Sequence, residues 1–310
     1  MRAALVLLAA ACLAPAAGCG RSGDADKAPA RPVPPVVVYV ASGDDAYLSN
    51  AVRDYQDETG AVVMTRHGAA NAIVADEIAN RVEPPADVLV TRSVADIQRA
   101  ASHGALRPLA AAGVDAPAPA WLRDPDGYWT GLGDRIAVVA FDPNAGIAGG
   151  DVDYAALAER TYAGRLCLSS SRNPLNRALI AQLIAARGVR SAELVVRAWI
   201  TNLAQPVFGS DTDVVDAIVA GRCTVGIVSS AVVPDSRVDV AVAVPMPAFA
   251  DADAAGIGRH ARNPDGAAAF IDWLLAREAK RRAGTGEREV KLATWYFDDA
   301  VKLAERAHYP

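Results

Sequence analysis

From residue 36 onward, short apolar runs alternate with longer amphipathic stretches, and this alternation constrains the fold more than any other feature. "PVVVYVAS" reads as a buried strand and "DDAYLSNAVRDYQDETG" as a helix with acids in its first turn and Gly60 at its stop. The pair repeats in "AVVMTRHG" with "NAIVADEIANRV", and again in "ADVLVTRS" with "VADIQRAASHGAL". Strand–helix alternation of this kind predicts a parallel sheet flanked by helices, an α/β fold. A break follows at "LAAAGVDAPAPAWLRDPDGYW", rich in Pro, Asp and Gly, ahead of the apolar strand "RIAVVAFDPN".

The pattern then restarts. A helix near "DYAALAER" and a strand "GRLCLSSS" lead to the helices "NPLNRALIAQLIAARG" and "SAELVVRAWITNL". Helix "DTDVVDAIVAG" and strand "CTVGIVSS" come next, then strands "VDVAVAVPMP" and "AAGIGRHA". Helices "NPDGAAAFIDWLLAREAKRRAG" and "ATWYFDDAVKLAERA" follow. Two α/β units of similar size predict two lobes with a cleft. Lobe one is expected at 36–142 plus 243–310, and lobe two at 143–242.

The first residues stand apart. "MRAALVLLAAACLAPAAGC" has Arg2, an apolar run from Ala3 to Leu13 and small residues before Cys19. The run is short for a bilayer span, so residues 1–18 read as an export signal. Ala16-Ala17-Gly18-Cys19 resembles a bacterial lipobox, which makes Cys19 the expected site of lipid attachment. Simple cleavage without acylation is the competing reading. Residues 19–35, with "GRSGDADKAPARPVPP", read as a flexible tether. The expected location is therefore periplasmic, with the protein anchored to a membrane through lipid.

Cysteine counting sharpens this picture. Once Cys12 leaves with the signal and Cys19 is acylated, Cys167 and Cys223 remain in the fold. In an oxidising compartment they predict one disulfide, across neighbouring strands of one sheet.

Charge excludes nucleic acid as a partner: 31 Lys and Arg stand against 36 acids, without a basic block. The signatures of hydrolases, zinc peptidases, nucleotide-binding loops and dinucleotide folds are missing, and the four histidines are scattered. The chain is expected to bind, not to catalyse. What recurs is a polar cluster after an apolar strand: Ser42 with Asp44, then Ser169 with Ser170 and Ser171, then Ser229 with Ser230. Ser210, Asp211, Thr212 and Asp213 cap the helix that buries Val214 and Ile218. Ligands of open parallel sheets bind beyond the carboxyl ends of strands, and hydroxyls with free N–H groups there suit an anionic or oxygen-bearing solute. Helix capping alone also explains any single cluster.

"VVVYVASGDDAYL", "PADVLVT", "GLGDRIAVVAFDPN", "GRLCLSSS", "SDTDVVDAIVAGRCTVGIVSS", "AGIGRHARNPDGAAAFIDWLL" and "AVKLAERA" occur in that order. Together they resemble the periplasmic ferric-iron-binding proteins of ABC importers, over essentially the whole chain from residue 36. The resemblance implies a two-lobed, hinged periplasmic-binding-protein fold that closes on a ligand and delivers it to an inner-membrane ABC permease. It also implies a Tyr-Tyr pair after the strand matching "TVGIVSS", where this chain has Ala231 and Val232. Other iron-ligand positions of the family fall on Phe141, Gly43 and Ile73. Ferric iron favours phenolate and carboxylate oxygen, which these side chains lack.

Features less tied to iron remain at Tyr47, Arg135, Ser170, Ser171, Asn176, Asp211 and Thr212. The expected ligand is a polar or anionic solute, or iron held as a chelate, with no resident cofactor. A monomer is expected. A sensory or scaffolding envelope lipoprotein that reuses the fold is the alternative.

Overall fold

The computed structural model describes residues 34–41, 46–115, 118–147, 152–233, 239–282, 290–292 and 295–310. The expected signal, Cys19, Ser42 and Asp44 lie outside the described residues. Elements β1 (Val36–Ala41), α1 (Ala46–Thr59), β2 (Val63–His67), α2 (Ala70–Ile78), β3 (Val88–Thr91) and α3 (Val94–Ser102) follow the predicted alternation. β2 and β3 both pair parallel to β1.

Next come β4 (Leu106–Arg107), β5 (Trp129–Phe141), β6 (Leu166–Leu168), α4 (Pro174–Arg187), α5 (Val189–Thr201) and α6 (Asp211–Val219). After them lie β7 (Val225–Ser229), β8 (Ala241–Ala243), β9 (Ala248–Gly258), α7 (Pro264–Arg282), β10 (Val290–Leu292) and α8 (Phe297–Arg306). "DYAALAER" forms 3-10 turns at Ala156–Ala158 and Arg160–Tyr162 in place of the expected helix. Among the described residues no helix is long and apolar enough to cross a membrane.

The sheet is mixed, not wholly parallel. Its order is β2-β1-β3-β9-β5-β7-β6, with β4 and β10 beside β9 and β8 beside β5. β6 and β7 are parallel, as expected, but β9 runs antiparallel to β3 and β5, and β5 antiparallel to β7. The cause is length. At about 3.3 Å per residue the 13 residues of β5 reach about 40 Å. Trp129–Ile136 pair with β9 while Ala137–Phe141 pair with β7 and β8, so β5 passes from one half of the sheet into the other. Tyr154 braces that crossing: its hydroxyl donates to Ala137 O at 2.7 Å and accepts from Phe249 N at 3.1 Å.

Each half has its own cores. In the first half, Val36, Val38, Val40 and Val88 pack against Phe270, Ile271 and Leu274 of α7, and Val37, Leu89 and Trp129 against Val94 and Ile97 of α3. In the second, Leu166, Leu168 and Ile227 pack against α4 and α5, while Val214, Val215 and Ile218 of α6 cover the other face of β7. A Cβ at Gly226 would stand 2.6 Å from Val214 Cγ1 and 2.9 Å from Cys167 O, so glycine lets α6 approach the strand. Cys167 and Cys223 form the expected disulfide, with Cα atoms 6.0 Å apart.

α8 belongs to the second half. Ala300, Leu303, Ala304 and Ala307 recur at helical spacing and join the cluster of Leu175, Leu179, Val196 and Trp199. The expectation assigned 297–310 to lobe one, whereas this core lies with residues of 143–242.

Candidate functional site

At the carboxyl ends of β6 and β7, backbone and side-chain polar groups converge on Asp211. Ser210 caps α6 by accepting from Asp213 N at 3.2 Å, which places Asp211 at the first helical position, 6% exposed. Its Oδ1 accepts from Ser169 Oγ at 2.5 Å and Asn173 Nδ2 at 2.9 Å; its Oδ2 accepts from Ser229 N at 2.8 Å. Asn176 Nδ2 donates to Ser169 Oγ at 2.9 Å and to the carbonyls of Ser169 and Ser170. Tyr309 closes the group by donating to Ser169 O at 2.6 Å. A Pro310 oxygen accepts from Ser171 N at 2.7 Å and from Ser170 Oγ at 2.9 Å.

A second, charged group sits where β5 crosses. Arg135 donates to Asp253 Oδ1 and to Arg92 O, and its Nη2 lies 3.7 Å from Asp251 Oδ2. Asp251 is 1% exposed; its Oδ1 accepts from Val94 N at 3.0 Å, at the start of α3. Burial pushes the Asp251 carboxyl up to about 6, against the pull of Arg135 and of the Val94 and Ala252 N–H groups. Ser230 lies beside this group, because its Oγ accepts from Ile136 N at 3.2 Å.

The predicted residues thus fall into two sets. Ser170, Ser171, Asn176, Asp211 and Ser229 gather at the strand ends, and Arg135 with Ser230 at the crossing. Thr212 is exposed on the first turn of α6. Tyr47 lies on α1, with its side chain outside the described set. Much of the polar capacity at the strand ends is satisfied within the network, so the donors expected to await a ligand mostly serve one another. Ala231 is exposed and Val232 half-buried on the turn after β7, and neither offers an oxygen ligand.

Asp251 and Asp253 were not anticipated, although the signal was present. In "AFADADAAGIG" the two acids are spaced by two within an apolar strand, so both project from one face.

Residues 36–284 match the family model of bacterial extracellular solute-binding proteins. Iron uptake protein A1 of Synechocystis sp. is 26% identical over 238 residues, covering 72% of this chain and 66% of the relative. Iron uptake protein A2 of the same organism is 27% identical over 237 residues, covering 69% and 68%. The chain therefore spans about two thirds of the length of these relatives.

Among solved structures, the Trichodesmium FutA protein in complex with iron and citrate superposes with a TM-score of 0.75 at 23% identity, over 89% of this chain and all of that one. The ferric binding protein of Campylobacter jejuni gives 0.76 at 18%, over 89% and 100%. The periplasmic binding protein AfuA of Actinobacillus pleuropneumoniae, with fructose-6-phosphate bound, gives 0.64 at 17%, over 88% and 96%.

Proposed function

The chain belongs to the bacterial extracellular solute-binding protein family, and from that premise we propose that it captures a solute for an ABC importer, exported and tethered by lipid on Cys19. Lobe one is residues 36–142 with the returning segment 243–292, and lobe two is 143–242 with α8 added. β5 and β9, the long strands joining the sheet halves, carry the hinge. Capture and closure make and break no covalent bond, so the work is differential binding of open and closed states.

The ligand is an anionic or polar-oxygen solute, or ferric iron already held by a chelator. The observation that carries this is the pair Ala231 and Val232 on the turn after β7. Two aliphatic side chains there offer a metal no oxygen, so iron would arrive with its coordination sphere filled by another molecule. The similar structures accord with that class: one holds iron with citrate and another a sugar phosphate.

Native mass spectrometry of the purified protein, with a thermal-shift series, tests this reading. Ferric citrate, phosphate or a phosphonate is expected to raise the melting temperature, and a bare ferric salt is not. Tight binding of the bare salt with a visible phenolate-to-iron absorption band would overturn it.

A further inference from the structure

Outside the strand-end network, a cavity of about 630 Å³ lies between the start of α4 and α8. Arg172, Arg177 and His308 line it, together with Glu305 and the apolar Val301. Two guanidinium groups therefore share the cavity with the Glu305 carboxylate and a Pro310 oxygen. Among the described residues neither arginine forms an ion pair with a carboxylate, and Arg177 Nη2 donates to Arg172 O at 2.7 Å. An arginine carries five N–H donors, so most of this donor capacity stays available.

The cavity is lined wholly by the second half of the molecule, from the start of α4 and from α8. Asp96, in the first turn of α3, lies close enough to Arg177 to feel its charge. Burial raises the Asp96 carboxyl, while the charges of Arg99 and Arg177 oppose the rise. Ser171 N and Ser170 Oγ beside the cavity already donate to the Pro310 oxygen, so the arginines are the donors that a solute would meet. The volume falls within the range of about 300–1,000 Å³ usual for small-molecule sites and exceeds what a bare oxyanion needs. A larger solute fits it, with its apolar part against Val301.

We propose that this cavity is an anion subsite, which takes a carboxylate or phosphate group of a small solute between Arg172 and Arg177. Guanidinium forks bind both groups through paired charge-assisted hydrogen bonds, which gives orientation as well as affinity. This rests on the solute-binding reading above, and adds the place and charge of the group recognised.

Calorimetric titration of the purified full chain with citrate, inorganic phosphate and a hexose phosphate tests it. At least one is expected to bind one-to-one, and Arg172→Gln and Arg177→Gln should each weaken it by about tenfold, the loss of one charge-assisted pair. Glu305→Gln should tighten it by about threefold, as removal of one partly screened repulsion predicts. Misfolding cannot mimic that gain.

Unchanged binding in both arginine variants, or no binding of any of the three at millimolar concentration, overturns the subsite. If the solute found by native mass spectrometry binds both variants like the parent, the solute-binding reading stands and the subsite falls. If phosphate binds in an Arg172-dependent way while a bare ferric salt also binds tightly with a phenolate-to-iron band, the subsite stands and the ligand reading above falls.

Discussion

Asp211, beside the ends of β6 and β7, and Asp251, inside β9, are both buried carboxylates, 6% and 1% exposed, yet the protein holds them by different means. Asp211 receives three neutral donors at 2.5–2.9 Å, drawn from β6, the α4 cap and β7. Asp251 has N–H donors on one oxygen only; its Oδ2 makes no hydrogen bond, and the nearest cation is Arg135 at 3.7 Å. Directional donors satisfy the first charge, whereas burial outweighs the more distant partner of the second and raises its pKa. The strand-end network is accordingly a structural clamp, and the crossing is where protonation bears on stability.

Removing the disulfide should have the largest effect. Cys167 and Cys223 are 56 residues apart in sequence, and closing a loop of that size stabilises by about 4 kcal/mol in the chain-entropy account. The bond ties β6, just before Ser169, to the residues leading into β7, so it braces the donors of Asp211. Urea unfolding of the Cys167→Ser/Cys223→Ser double variant should show that loss, with amide-exchange protection falling first at Ser229. Equal early loss at Val94 would break the contrast.

Asp211→Ala comes next, at about 3 kcal/mol, because it leaves a buried hydroxyl, an amide and an N–H without their acceptor. Asp211→Asn should recover part of this, as measured by the same denaturation.

A pH series sharpens the comparison further. The Asp251 carboxyl moves from an ordinary 3.8 to about 6 in the folded state, so between those values the folded protein holds the extra proton. Stability should therefore be highest below pH 4, fall by on the order of 3 kcal/mol as pH rises through 6, and be level above. Glu77, on α2, adds the same sign over a window reaching about 7, because burial raises it too. Burial raises Asp96 as well, so in a Glu77→Gln/Asp96→Asn background the remaining slope isolates Asp251, and Asp251→Asn should flatten it. A slope that survives all three substitutions would remove Asp251 as its cause.

Ser230→Ala should be the mildest change, about 1 kcal/mol, since it removes a single part-buried hydrogen bond between neutral groups. Its readout is faster amide exchange at Ile136 with little change in melting temperature.

The helices and parallel strands were legible because their periodicities are strong: Val94, Ile97 and Ala100 mark α3, and Val36 to Val40 mark β1. The crossing strands were less so. β5 was read from Arg135, although it begins at Trp129, because Gly131, Gly133 and Asp134 weaken any strand pattern. β9 was read from Ala254, since Asp251 and Asp253 look like loop residues until Arg135 is seen beside them.

The strand-end cluster was half legible. Ser170, Asn176, Asp211 and Ser229 were expected there, but not that they would satisfy one another. That depends on Tyr309, 140 residues beyond Ser169, and no local pattern reports a contact of such separation.

That distance sets an order of events. The core around Leu175 and Trp199 lacks Leu303, Ala304 and Tyr309 until synthesis reaches them, after the chain has already returned to the first half through β9 and α7. Neither half can mature as an independent early unit, and contacts so distant in sequence form slowly. For a chain proposed to cross a membrane before folding, late completion keeps it threadable, and the last helix acts as the timer.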